Sequence, residues 1–252
     1  MRKVQSFFLF VLSWYILSLL HILPYPHTTA LTFATLLAKG DPVLGKTIVE
    51  HSVSSLLRVI AGSGIAFMIS IPLGILMWYE RIYSLFYPIL EVLRPIPPLA
   101  WIPLSYILFA SFPEPTVFAQ IFIVFVGSFF PSFVAVSDYA RNTPSEYLEL
   151  ARVFGATGYE ILRYIVIPYS IPGIITGIRV GLGVGWMSII AAEMIATSGS
   201  GIGYFIMVMY EVGGRMPEII SGMAMIGLIG YGMNALLIRF EERFPWHLKS
   251  EE

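Results

Sequence analysis

The sequence predicts an all-α membrane protein with about six transmembrane helices, and three observations carry that expectation. Apolar runs near the ~20 residues that cross a ~30 Å hydrocarbon core recur along the chain. Only 12% of the 252 residues are charged and 57% are hydrophobic, whereas a soluble domain averages about 25% charged residues. The charges that remain gather mostly between the apolar runs.

The first run is "VQSFFLFVLSWYILSLLHIL", 4–23, behind Arg2 and Lys3. Its length, and the lack of an A-x-A site after it, favour a retained span over a cleaved signal. Residues 1–50 therefore read as an N-terminal span with its extracytoplasmic connection, 51–246 as a core and 247–252 as a tail. The second run is 52–79. The third, 82–110, contains Pro88, Pro95, Pro97, Pro98 and Pro103, too many for one straight helix. Non-helical backbone at membrane depth must be buried by protein or line a cavity. Either 82–94 is an interfacial helix leading into a shorter span, or the break borders the pore.

The fourth run is 116–136, the fifth about 172–196 and the sixth 219–238. Between the last two, 198–216 is apolar yet too short to cross and return, and reads as re-entrant or interfacial. Six spans place both termini on one side. With the N-terminus inside, Arg2, Lys3, Arg81, Arg141, Arg152, Arg163, Arg239, Arg243 and Lys249 fall on the cytoplasmic side, against Lys39, Lys46 and Arg215 outside. Basic residues favour the cytoplasmic side, so the 138–171 loop is expected there.

That loop holds "EYLELARVFGATGYEILRYIVIP", 146–168. Thr143, Pro144 and Glu146 suit the N-cap, N1 and N3 positions of a helix. Gly155 suits a left-handed stop, and Thr157 with Glu160 forms a second capping box for a helix running to Pro168. Tyr147, Leu150, Ala151 and Phe154 share one face of the first helix, with Glu149 and Arg152 off it. Two short capped helices are expected, packed on the chain's own spans or on a cytosolic partner.

In the fifth run, Gly173, Gly177, Gly181 and Gly185 recur every four residues. Such a stripe admits a close neighbouring helix, from this subunit or a second copy. Glu193 is an intramembrane acid and by default marks a pathway or a buried pair, with Arg94 and Arg179 as candidate partners.

Other readings find little support. The formal net charge of −1 gives no footing for nucleic acid. There is no cysteine, and His21, His27, His51 and His247 are scattered without metal-ligand spacing, so they read as solvated structural residues and no metal site is expected. "GDPVLGKT", 40–47, fits the P-loop expression, but no preceding strand or parallel sheet is expected around it. ATP hydrolysis is thus not expected of this chain. No nucleophile and base converge as an intramembrane enzyme requires. An ion-coupled secondary transporter would show intramembrane acids and broken helices in two repeated halves. That alternative leaves the capped loop unexplained.

The loop resembles the coupling loop of binding-protein-dependent ABC importer permeases, whose signature is Glu-Ala-Ala, three residues, Gly and an Ile-x-x-Pro-like end. Here it stands as Glu149, Leu150, Ala151, Gly155 and Ile167-Pro168, with leucine for the middle alanine. "HSVSSLLRVIAG" (51–62), "PLGI" (72–75), "LRPIPPLAWIPL" (93–104), "SFFPSF" (128–133) and "AAEMIA" (191–196) are similar to the nitrate/sulfonate/taurine branch. The resemblance implies a type I ABC importer permease fold and a multi-pass place in the cell membrane, within the lipid bilayer. It implies two cytosolic ATPase subunits that bind ATP and Mg, a second copy of this permease or a homologous one, and an extracytoplasmic substrate-binding protein. The chain itself would hold no cofactor. The 143–168 loop would meet the ATPase through Glu146, Tyr147, Glu149, Leu150, Ala151, Gly155 and Ala156. The solute would be small and usually anionic, such as a sulfonate, nitrate, taurine or bicarbonate, with Glu193, Arg94 and Arg179 as pathway or gating candidates.

Overall fold

Apolar periodicity resolves into helices throughout the residues described, 2–196 and 198–243, in a computed structural model of the chain. In order they are α1 (Arg2–Leu19), α2 (Pro26–Ala38), α3 (Ile48–Leu76), α4 (Glu80–Leu93), a 3₁₀ turn (Pro98–Trp101), α5 (Ile102–Phe109), α6 (Pro115–Arg141), α7 (Ser145–Val153), α8 (Gly158–Ile161), a π turn (Leu162–Val166), α9 (Ile167–Ile195), α10 (Ile202–Val212) and α11 (Met216–Arg243). The proposed tail, 247–252, and His247 lie outside the described residues.

Among the described residues four helices are long and apolar enough to cross a membrane: Ile48–Leu76, Pro115–Arg141, the continuous Gly158–Ile195 and Met216–Arg239. The third run is bent by 93° between Glu80–Leu93 and Pro98–Phe109, and counting that pair as one broken span gives five. The shortfall from six lies in the first run. Its helix stops at Leu19 rather than reaching residue 23, and its 18 residues begin with Arg2, Lys3 and, soon after, Gln5. At 1.5 Å per residue it is about 27 Å long. A turn follows in which His21 has φ 56°, and both Trp14 Nε1 and Ser18 Oγ donate to the Pro24 carbonyl at 3.0 Å. Residues 24–50, expected to be a plain connection, contain α2, opened by Pro26 in its first turn, where a missing N–H costs nothing.

The chain divides into two compact units, residues 1–56 with 193–229, and 57–192 with 230–252. In the first, Gly222 of α11 lies against Ile206 and Phe205 of α10, and Ile48, Ile202, Phe205 and Met209 are buried. The P-loop look-alike is a tight turn between α2 and α3. The Asp41 carboxylate accepts from the N–H groups of Val43 and Leu44 at 2.8 Å, Gly40 and Gly45 take φ of 80° and 68°, and Lys46 Nζ donates to the Gly199 carbonyl at 3.1 Å. No strand occurs among the described residues, so the context a P-loop needs is missing.

In the second unit α3, α6 and α9 meet one another through small residues. From α3, Gly62 meets Ile121 and Val124, and Gly74 meets Val136 and Phe133. Ser63 and Ser128 hydroxyls pair at 2.8 Å, and Ser70 Oγ donates to Ser132 Oγ at 3.0 Å. From α9, Gly173 faces Tyr139, Gly177 faces Ser132, Gly181 faces Ser128 and also Phe67 of α3, and Gly185 faces Ser128 and Ser63 of α3. The stripe, left open by the sequence, therefore packs within the subunit. Close approach gives the dispersion contacts and interhelical hydrogen bonds that hold helices together where lipid removes the hydrophobic drive.

Candidate functional site

The polar loop is built as two capped pieces, though not capped as expected throughout. Thr143 does not cap α7: its hydroxyl donates back to the Ala140 carbonyl at 2.9 Å and finishes α6. Pro144 occupies the N-cap with φ −57° and ψ 132°, and no side chain caps the helix. A hydroxyl already satisfied by the preceding helix is not available to the next. At the other end Gly155 has φ 81°, Gly155 N–H bonds Arg152 O at 2.9 Å and Ala156 N–H bonds Ala151 O at 3.0 Å. That pair of bonds is a Schellman stop, which satisfies carbonyls the helix end leaves orphaned.

The second capping box is present. Thr157 N–H donates to Glu160 Oε2 at 2.7 Å and Glu160 N–H donates to Thr157 Oγ1 at 3.4 Å. The helix it opens does not end at Pro168 but runs on to Ile195 as one 38-residue helix, with the π turn just before that proline. A π turn re-registers the ladder ahead of a residue whose ring excludes the usual i−4 bond.

The loop has two sides. Leu148, Ala151 and Ala156 pack with Trp78 around Ala140, Ile161 and Val166, the ends of α6 and of the long helix. Ala151 thus lies on the inner side, away from the face it was expected to share with Tyr147, Leu150 and Phe154. Tyr147 and Leu150 are exposed, and Val153 and Phe154 are each 82% exposed. Glu146 and Glu149 are exposed beside them. The inner side fixes the loop to two spans, and the outer side presents apolar and aromatic groups with nothing on them.

The candidate pathway residues separate. Arg94 stands at the 93° break and lines a cavity of about 480 Å³ with Pro98, Val126, Phe130, Val134 and Asp138. The prolines there lack N–H groups, and Arg94, Ile96 and Pro98 at the break border the cavity, one of the two settings in which such backbone is tolerated at membrane depth. Arg179 is engaged elsewhere: Nη1 donates to Glu241 Oε2 at 3.0 Å, both side chains half-exposed.

Glu193 is wholly buried. Ser55 Oγ lies 2.9 Å from both carboxylate oxygens, and Gly203 N–H donates to Oε2 at 3.0 Å. Ile202 N–H donates to Ser55 Oγ at 2.9 Å, and Gly201 N–H donates to His51 Nδ1 at 3.2 Å. The first N–H groups of any helix have no partner within it, and the Glu193 carboxyl oxygen accepts from one of them. Glu193, Ser55 and His51 together cap α10. His51, read from the sequence as solvated, is fully buried. The four-residue recurrence of Gly62, Ala66, Ser70 and Gly74 marks the face that holds Ser70, whereas Ser55 and Ser63 lie off that series.

Residues 64–245 match the family described as "Binding-protein-dependent transport system inner membrane component". A putative ABC transporter permease protein of Methanocaldococcus jannaschii is 42% identical over 202 residues, covering 79% of this chain and 74% of that protein. The nitrate import permease protein of Leptolyngbya laminosa is 35% identical over 185 residues, 73% of this chain and 64% of that one. Among solved structures, a chain of the MetNI methionine ABC transporter, in an inward-facing conformation, aligns with TM-score 0.66 at 17% identity, over 77% of this chain and 94% of that one.

Proposed function

This chain belongs to the inner membrane components of binding-protein-dependent transport systems, the permease subunits of ABC importers, and from that premise we propose that its 143–168 loop is the joint to a cytosolic ATPase. The observation that carries the reading is the division of the loop into two sides. An outer patch of Tyr147, Leu150, Val153 and Phe154 is exposed, while the inner side is seated on the ends of two spans. Aromatic and aliphatic groups of this kind serve as anchors in a partner's pocket. Motion of the partner then passes to α6 and α9 through Ala140, Ile161 and Val166, and Gly155 keeps the two pieces at a fixed angle.

The basic residues of the loops support a cytoplasmic placement of both termini and of this loop. Two ATPase subunits bind ATP and Mg, a second permease copy or a homologous one completes the pathway, and an extracytoplasmic binding protein delivers the solute. The relative in Leptolyngbya laminosa is a nitrate permease, which supports a small anion for this chain.

The test is uptake of nitrate into proteoliposomes holding the permease, its ATPase and its binding protein. The proposal expects uptake that needs ATP and the binding protein. Uptake driven by a proton or sodium gradient without ATP would establish the secondary transporter instead.

A further inference from the structure

The cavity at the α4–α5 break has an unusual wall. Among its lining residues Arg94 is the one cation and Asp138 the one anion, and the remainder, such as Ile96, Phe130 and Val134, are apolar; Glu91 lines a smaller adjoining pocket that shares Arg94. Neither charged side chain makes an ion pair or hydrogen bond among the described residues. Both are solvent-accessible. The break itself has few donors: Pro95, Pro97 and Pro98 have no N–H, and the Ile96 N–H is spent on the Leu93 carbonyl at 3.1 Å. Hydrogen bonds to an anion in this part of the cavity must come from the guanidinium.

We propose that Arg94 makes this cavity an anion-selective station, binding a small oxyanion, and that Asp138 is the resident negative charge which weakens its hold. A planar guanidinium offers paired N–H donors that match a planar oxyanion, and low-dielectric walls focus its field. A conducting site must bind well enough to admit the solute and weakly enough to release it. Asp138 supplies the second condition, since an anion beside Arg94 also feels the carboxylate. The identity of what passes rests on the importer reading above; the charge selectivity of the cavity does not.

Because the chain has no cysteine, Val134→Cys places one reporter thiol in each permease copy, on the cavity wall, and its modification is read on the permease chain itself. Rates of modification by an anionic sulfonatoethyl and a cationic trimethylammonioethyl methanethiosulfonate are compared in the full transporter in nanodiscs. The anionic-to-cationic ratio is expected to fall about tenfold with Arg94→Gln, the low end of what a focused cleft potential does to an encounter rate. It should be kept by Arg94→Lys and raised by Asp138→Asn, which reads the same field should Arg94→Gln fail to fold. Nitrate should slow the anionic reagent, and should cease to do so in Arg94→Gln. A ratio indifferent to both Arg94→Gln and Asp138→Asn, or nitrate protection that survives Arg94→Gln, overturns the proposal. An unshifted ratio with ATP-driven uptake intact counts against Arg94 alone, and a shifted ratio without ATP-driven uptake counts against the importer reading alone.

Discussion

Gly201→Ala tests the buried cap of α10 at its tightest point. Gly201 has φ 115°, where an L-residue is strained by roughly 1–3 kcal/mol. An added Cβ would also fall on the Glu193 carboxyl group itself, so that group would have to leave its place. Moving it breaks bonds from Ser55 Oγ at 2.9 Å and Gly203 N–H at 3.0 Å, and a buried polar group left without its bond costs about 1–3 kcal/mol. Strain and the loss of one such bond together give roughly 4 kcal/mol, a large part of the 5–15 kcal/mol that holds an ordinary domain folded. Thermal unfolding of the detergent-solubilised protein, followed by size-exclusion fluorescence, measures the loss. A double-mutant cycle isolates the cause: with Glu193→Ala the clash disappears, so the second substitution should cost at least about 1 kcal/mol less than in the wild type. A cost below about 1 kcal/mol, or strict additivity with Glu193→Ala, would refute this account of the cap.

Gly177→Leu should destabilise by about 1–3 kcal/mol, because its Cβ would sit 3.0 Å from the Ser132 carbonyl oxygen on the neighbouring helix. Gly183→Leu, with nothing within 4 Å of its Cβ, should be silent in the same melting assay. Thr157→Ala should remove about 1 kcal/mol from the start of the long helix, seen as faster amide exchange at 158–161 with little change in global unfolding. The half-exposed pair of Arg179 and Glu241 at 3.0 Å should show a coupling of under about 1 kcal/mol in a double-mutant cycle.

Features that depend on neighbours in sequence were legible. Gly155 with its positive φ, the Thr157 and Glu160 box and the broken third run follow from local chemistry that any surrounding fold respects. Features decided by tertiary competition were not. Thr143 carries the residue pattern of a cap, yet its hydroxyl is taken by Ala140. Ala151 sits at a spacing that suits the outer face, but a small side chain between Ala140 and Ile161 suits the inner side better. The sequence places Glu193 in an apolar run and marks it as costly there. That Ser55 and the start of α10 satisfy it depends on residues far along the chain, and no periodicity reports such a meeting. α2 was missed because its polar threonines and histidine hide a short helix within a connection.

The central claim is that the outer side of the 143–168 loop holds the ATPase, and the affinity of nanodisc-embedded permease for its ATPase tests it most directly. Val153 and Phe154 are each 82% exposed, so Val153→Ser and Phe154→Ala should leave the melting temperature unchanged. Each should weaken binding about tenfold or more, as losing an interface anchor worth over ~1.4 kcal/mol requires. A double variant that binds as tightly as the wild type would contradict the claim and move the joint elsewhere on the molecule.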